Sequence, residues 1–223
     1  MDNGTGTKFD EKYESIYQLD YEHSSLLDSL DYHGFKPEEI TDLILTHLHF
    51  DHCGGTTYFD EEGELAHTFP NARYHVTKTH WETATHPNAR EKASFFKENI
   101  APLQESGQLH LIENNYTYED GLSTLNVDGH TLGQQLPVIK SENTTLVFAA
   151  DLFPPRPHVP LPWIMGYDMR PINTLEEKEE ILNKAVEQDW YFFMEHDSDN
   201  EVIRIEKQDK KFVPKTGITL ADF

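Results

Sequence analysis

The stretch THLHFDHCGG, Thr46 to Gly55, places His47, His49, Asp51 and His52 within six residues. Imidazole and carboxylate groups are the side chains that bind borderline divalent ions. In an extended chain, residues two apart face the same side, so His47 and His49 can grip one ion from a strand end. Asp51 and His52 fall past that strand, where the chain turns, and can face a neighbouring ion. Gly54 and Gly55 allow the sharp turn and close backbone approach that such a loop needs. The chain has 13 histidines in 223 residues. Chance assembly of this pattern is then on the order of a few in a thousand, and a metal site is the favoured reading. Cys53, beside His52, is expected to be a small residue packed under the loop rather than a ligand or nucleophile.

Three distant positions could complete a two-ion site. His130 sits in DGHTLGQ after the apolar stretch LSTLNV, Asp151 ends TTLVFAAD, and His196 follows WYFFME. Each is a metal-type side chain at the end of an expected strand, where a rigid sheet can hold it. Five histidines and two aspartates in all suit two divalent ions, zinc first, with manganese, cobalt or iron also compatible. Such a pair lowers the pKa of a bound water to about 7 and polarises a carbonyl or phosphoryl group, so no serine nucleophile is required. Asp51 could bind metal through one oxygen and steer or receive a proton with the other. The segment LFPPRPHVPLPWIMGYD, Leu152 to Asp168, starts directly after Asp151 and has five prolines between Pro154 and Pro162. It reads as a stiff surface crossing or as a preorganised wall of a substrate pocket lined by Trp163, Ile164, Met165 and Tyr167. His158 reads as a loop residue, and His75, His80, His86 and His110 as structural or solvated.

The elements that must position these residues are short. HSSLLDSLDYHGF reads as a helix with Leu26, Leu27 and Leu30 inward and Gly34 as its stop, and Pro37 sits in a first turn. DLILT is a short buried strand that ends in the histidine cluster. ARYHVT alternates like a strand, and Trp81 to Asn99 looks helical with a break at Pro87. QLHLIE, LSTLNV, LPVIK, TTLVFAAD and WYFFME are further strands, and EVIRIEKQ an outer one. TLEEKEEILNKAVEQ is the clearest helix, with Thr174 and Glu177 expected to form a capping box and Leu175, Leu182, Ala185 and Val186 on one face. Interspersed short strands and helices point to a layered αβ architecture, α/β or α+β.

The length suits one domain, residues 1–223, with a core large enough to need no disulfide. A single cysteine allows no intrachain disulfide, which fits a reducing, cytoplasmic setting. No apolar run is long enough to span a membrane, and the opening residues do not read as a signal peptide. The net charge of −22, from 40 acidic and 18 basic residues, repels phosphates, so nucleic acid is not expected as a partner. A small-molecule substrate is.

HLHFDH matches the His-x-His-x-Asp-His signature of metallo-β-lactamase-fold hydrolases, and His130, Asp151 and His196 follow in that family's order. FPNARYHV, HPNAREK, GHTLGQ and WIMGYD resemble the branch of quorum-quenching lactonases and methyl parathion hydrolase-like enzymes. The resemblance implies an αβ/βα four-layer sandwich with the metals at one edge. It implies that His47, His49 and His130 hold one metal, that Asp51, His52 and His196 hold the second, and that Asp151 bridges both. It also implies a small ester-like substrate, plausibly a lactone such as an acyl-homoserine lactone, and a homodimer. Family members carry several strands before a D-x-G step, whereas DNG, Asp2 to Gly4, stands at the start here. The expectation is a domain shortened by roughly fifty residues, with an opened sheet edge. Some lactonases of this fold place a tyrosine soon after the bridging aspartate. Phe153 and Pro154 stand there in this chain, which leaves Tyr167 as a substitute for contacting the substrate carbonyl. Two alternatives share the ligand set: an iron-dependent, persulfide dioxygenase-like redox enzyme, and a non-catalytic remnant of the fold.

Overall fold

The apolar run before the histidine cluster does form a strand. The protein is described by a computed structural model covering residues 1–21 and 25–223, in two compact units, Met1–Ile112 and Glu113–Phe223. In chain order the first unit holds helices α1 (Glu11–Tyr17) and α2 (Leu26–Tyr32), strand β1 (Asp42–Ile44) and the short helix α3 (Phe50–Cys53). There follow strands β2 (Thr57–Phe59), β3 (Leu65–His67) and β4 (Arg73–Thr77), helices α4 (Lys78–Thr85) and α5 (Lys97–Glu105), and strand β5 (Leu109–Ile112). Strands β1, β4 and β5 make a parallel sheet with β4 in the middle, and β2 and β3 pair as a separate hairpin.

ARYHVT was expected to alternate in burial, and it does not: Tyr74, His75, Val76 and Thr77 are all buried. A middle strand of a parallel sheet is covered on both faces, which removes the alternation. Around it pack Leu43, Leu45, Leu48, Phe69, Ile100 and Leu103. The helical stretch expected from Trp81 to Asn99 is two helices. Helix α4 starts earlier because the Thr77 side chain accepts from the His80 N–H and caps it. It ends before Pro87, which disfavours helical geometry in the preceding residue. The Asn88 side chain then accepts from the backbone N–H groups of Arg90 and Glu91 and fixes a turn. Helix α2 turns Leu30 towards the core, whereas Leu26 and Leu27 are exposed, contrary to the expected inward face. His23 and Ser24 of that expected helix lie outside the described residues.

The second unit holds strands β6 (Thr117–Glu119), β7 (Leu122–Val127), β8 (Gln134–Lys140) and β9 (Thr145–Phe148), helix α6 (Pro171–Gln188), and strands β10 (Tyr191–Phe193), β11 (Val202–Gln208) and β12 (Lys211–Ile218). They form one sheet in the order β12-β11-β10-β9-β8-β7-β6. Only the β9–β10 pair in it is parallel, and α6 lies in the connection between those two strands, as a parallel crossover demands. EVIRIEKQ is not the outer strand. Strand β12, which carries Pro214 and Gly217, covers it. Ile181, Leu182 and Ala185 of α6 pack with Leu136, Val147, Phe192 and Ile203 of the sheet.

The expected capping box of α6 does not form. The helix begins at Pro171, whose missing N–H costs nothing in a first turn. Thr174 is therefore interior, and the Glu177 carboxylate instead accepts from the backbone N–H groups of Asp128 (2.8 Å) and Gly129 (3.0 Å). Among the described residues no helix is long and apolar enough to cross a membrane.

Candidate metal centre

In the first unit the chain leaves β1 at Ile44 and runs through an irregular turn before α3 begins at Phe50. His47 and His49 lie in that turn, His49 as the extended residue that opens α3, and Asp51 and His52 lie on α3 itself. The stretch is pinned by residues 2–6. The Asp2 N–H donates to the Ile44 carbonyl and the Asn3 N–H to the His52 carbonyl, both at 2.9 Å. This is why two glycines follow the cluster. A Cβ on Gly54 would stand 2.0 Å from the Thr5 carbonyl oxygen, and one on Gly55 would stand 2.2 Å from that of Asn3.

Buried carboxylates fix the three imidazoles. Asp2 Oδ2 faces His52 Nδ1 at 2.9 Å and accepts the Thr46 hydroxyl at 2.7 Å, while Asp2 Oδ1 accepts the Thr46 N–H at 2.7 Å. With its proton given to Asp2, the Thr46 oxygen is the acceptor for His47 Nδ1 at 3.0 Å. Glu91 Oε1 faces His49 Nε2 at 3.3 Å, and Glu91 is itself held by Asn88. This network assigns the protons to His47 Nδ1, His52 Nδ1 and His49 Nε2. The opposite nitrogens face one another across the turn, with His47 Nε2 and His49 Nδ1 only 3.0 Å apart. Donor atoms of His47 and His52, and of Asp51 and His52, also lie within 4.8 Å. Converging imidazole nitrogens backed by carboxylates are the donor arrangement of a metal-binding histidine set, so the residues present fit a divalent ion. His80, buried, accepts the Leu48 N–H at 2.8 Å and supports the same turn.

In the second unit Asp151 lies past β9 in a tight turn whose preceding residue, Ala150, takes a φ of 42°. A left-handed alanine costs on the order of 1 kcal/mol and marks a turn that its surroundings dictate. Asp151 Oδ2 faces His130 Nε2 at 3.1 Å and its Oδ1 faces His196 Nε2 at 3.2 Å. One carboxylate thus stands between two imidazoles, an arrangement suited to a bridging ligand. Asp168, buried, holds His130 Nδ1 at 3.1 Å. The backbone beside His130 is held by Glu177, by the Arg170 N–H on the Gly129 carbonyl (2.8 Å) and by the Met169 N–H on the His130 carbonyl (3.0 Å). The Tyr167 ring meets the His130 ring edge-on at 5.8 Å and is 55% exposed.

Among the other candidates, Cys53 is fully buried, its thiol donates to the Leu48 carbonyl, and burial pushes its pKa up to about 12. It is a packed residue, as expected. His75 is buried on β4, paired with Asp42 at 2.7 Å, and burial lowers its pKa despite that partner. His158 lies in a short turn, and burial lowers its pKa too. Phe153, at the position where a tyrosine was sought, is fully buried against Phe192. Sequence reasoning assigned no role to Asp2, Glu91 or Asp168. Each is a carboxylate inside a run with family resemblance, DNG, HPNAREK and WIMGYD, and that was the available signal.

The family model of the metallo-beta-lactamase superfamily matches residues 2–196. An N-acyl homoserine lactonase of Bacillus cereus is 30% identical over 114 residues, which are 51% of this chain and 38% of the lactonase. The match thus spans well under half of that curated relative. A structure from Staphylococcus aureus described as a probable metal-dependent hydrolase superposes with a TM-score of 0.84 at 26% identity, over 98% of this chain and 78% of that one. A dizinc quorum-quenching lactonase superposes with a TM-score of 0.75 at 24% identity, over 99% and 75% of the two chains.

Proposed function

This chain belongs to the metallo-β-lactamase superfamily, and from that premise we propose that it is a dinuclear metal-dependent hydrolase of a small ester-like substrate, a lactone in the first instance. His47, His49 and His130 would hold one ion, Asp51, His52 and His196 the other, with Asp151 shared. Zinc suits this donor set best, with manganese, cobalt or iron as alternatives. The observation that carries the reading is the Asp151 carboxylate, one oxygen against His130 and the other against His196, in a chain that presents every residue of the family's ligand pattern in order. The lactonases among its relatives supply the substrate class.

A pair of divalent ions so held would supply a water of lowered pKa and Lewis-acid polarisation of the carbonyl. The chain's own residues do the rest. Asp2, Glu91 and Asp168 keep the protons of His52, His49 and His130 on the nitrogens facing them, so that the other nitrogen of each is directed to metal. The Asp51 side chain is about one-third exposed, with Oδ2 3.8 Å from His52 Nε2, so it can pass a proton between the reacting centre and solvent. Tyr167, exposed beside His130, would donate its hydroxyl proton to the substrate carbonyl. Trp163, Ile164 and Met165 would offer apolar surface to the rest of the substrate.

The test is hydrolysis by metal-loaded protein across lactones, aryl esters and phosphotriesters, with the chelated protein as control. The proposal expects metal-dependent turnover with lactones as the best substrates. Protein that holds two ions and turns over none of the three classes would refute it.

A further inference from the structure

Helix α6 buries a lysine. Lysine is almost never fully buried unless its ammonium is paired, yet Lys178 has no exposed surface and sits beside Ile181 and Leu182 on the buried face of the helix. Its partners are all backbone. Nζ donates towards the carbonyl oxygens of His158 (2.6 Å), Trp163 (2.7 Å), Pro160 (3.2 Å) and Leu161 (3.4 Å). These four belong to the proline-rich segment, and the prolines explain the need. Pro154, Pro155, Pro157, Pro160 and Pro162 carry no N–H, so the segment cannot satisfy its carbonyls with a ladder of its own. Its local backbone bonds from His158, Val159 and Trp163 go to Pro155, Arg156 and Pro160. An ammonium with three donors, brought in from a helix, gathers four of the segment's carbonyls around one point.

The segment so gathered lies beside the second unit's own candidate ligands. It begins after Asp151, and beyond residue 163 it brings the Tyr167 ring and the Asp168 carboxylate against the His130 ring. Its backbone is held from inside, while the side chains of Trp163 and Tyr167 stay exposed at 65% and 55%. We propose that Lys178 is a positioning residue that fixes segment 158–163 as a rigid wall and thereby sets how tightly substrate is held. The role as a substrate wall rests on the hydrolase reading above, whereas the clamp on the backbone does not. Burial lowers the Lys178 pKa to about 8, and the Asp168 carboxylate opposes that fall.

The experiment compares the wild-type chain with Lys178→Met, which keeps the length and loses the donors, and Lys178→Arg, which keeps a cation. Amide hydrogen exchange is followed at residues 159–168, metal content is measured, and kcat and KM are determined on the substrate panel. Lys178→Met is expected to speed exchange in that segment by about tenfold or more. It should raise KM about fivefold or more with kcat and metal content little changed, the signature of lost uniform binding. Lys178→Arg should restore part of both effects. Unchanged exchange at 159–168 in Lys178→Met overturns the clamp. Faster exchange with unchanged KM overturns the wall. Faster exchange in a pair of proteins that both lack turnover upholds the clamp and counts against the hydrolase reading instead. If Lys178→Met fails to fold, Pro162→Gly loosens the segment from its own side. It is expected to give the same exchange and KM changes, and its failure to do so overturns the proposal.

Discussion

Replacing Asp2 with alanine should loosen the whole histidine turn, and the structure sets the size of the effect. Asp2 is 5% exposed, and its partners Thr46 and His52 are 1% and 0% exposed. The carboxylate accepts three hydrogen bonds, from the Thr46 N–H, the Thr46 hydroxyl and His52 Nδ1. A buried donor left without an acceptor costs about 1–3 kcal/mol. The hydroxyl can rotate to another partner and water can enter the vacated space, so the expected loss is about 3–5 kcal/mol. For a chain of this size that is a fall in Tm of roughly 10 °C. Asp2→Asn keeps one acceptor oxygen but turns an amide N–H towards another donor, and should cost about half as much. Thermal or urea unfolding of the metal-free proteins measures the stability, and competition with a chelator measures metal affinity. Loss of the group that orients a ligating histidine typically weakens metal binding 10–100-fold. An Asp2→Ala protein within about 0.5 kcal/mol of wild type, with unchanged metal affinity, would refute the positioning role of this carboxylate.

Gly54→Ala must displace the backbone of Thr5, since its Cβ would sit 2.0 Å from that carbonyl oxygen. It should cost about 3 kcal/mol or more by unfolding, whereas Gly63→Ala, with open space around it, should be limited to the cost of its positive φ, about 1 kcal/mol. Asp168→Asn leaves the fold intact but weakens the hold on His130 Nδ1, so metal affinity should fall 10–100-fold in a chelator titration while Tm changes little. Cys53 is fully buried, so a thiol reagent should fail to label the native protein and should label it stoichiometrically in denaturant. Rapid native labelling would contradict the packing of α3.

The seven candidate ligands were legible because metal chemistry restricts residue types and because HLHFDH crowds four of them into one turn. Secondary structure was legible where the pattern was local, as in DLILT, LSTLNV and the amphipathic face of α6. It failed where tertiary partners decide. Thr174 and Glu177 satisfy a local capping rule, yet Pro171 starts the helix earlier and Glu177 is drawn to the backbone before His130. ARYHVT loses its alternation because parallel neighbours bury both faces. Strand β12 was not anticipated: Pro214 and Gly217 weaken the strand signal of KFVPKTGI, although an edge strand tolerates both. The carboxylates that orient the histidines were invisible as such. Asp2 acts on residues more than forty positions away, and Glu91 reaches His49 across a similar distance. No spacing rule connects such pairs. Lys178 was hidden in the same way, as one more charge on a helix that reads as amphipathic.

The central proposal is that the seven candidate ligands hold two metal ions, and metal stoichiometry tests it most directly. Elemental analysis should find two divalent ions per chain in the wild type. It should find no more than one in His47→Ala, from the first unit, and in Asp151→Ala, from the second, provided each variant keeps its circular dichroism spectrum. Two ions retained in folded Asp151→Ala, or none bound by the wild type after exposure to zinc, manganese, cobalt or iron, would contradict the account.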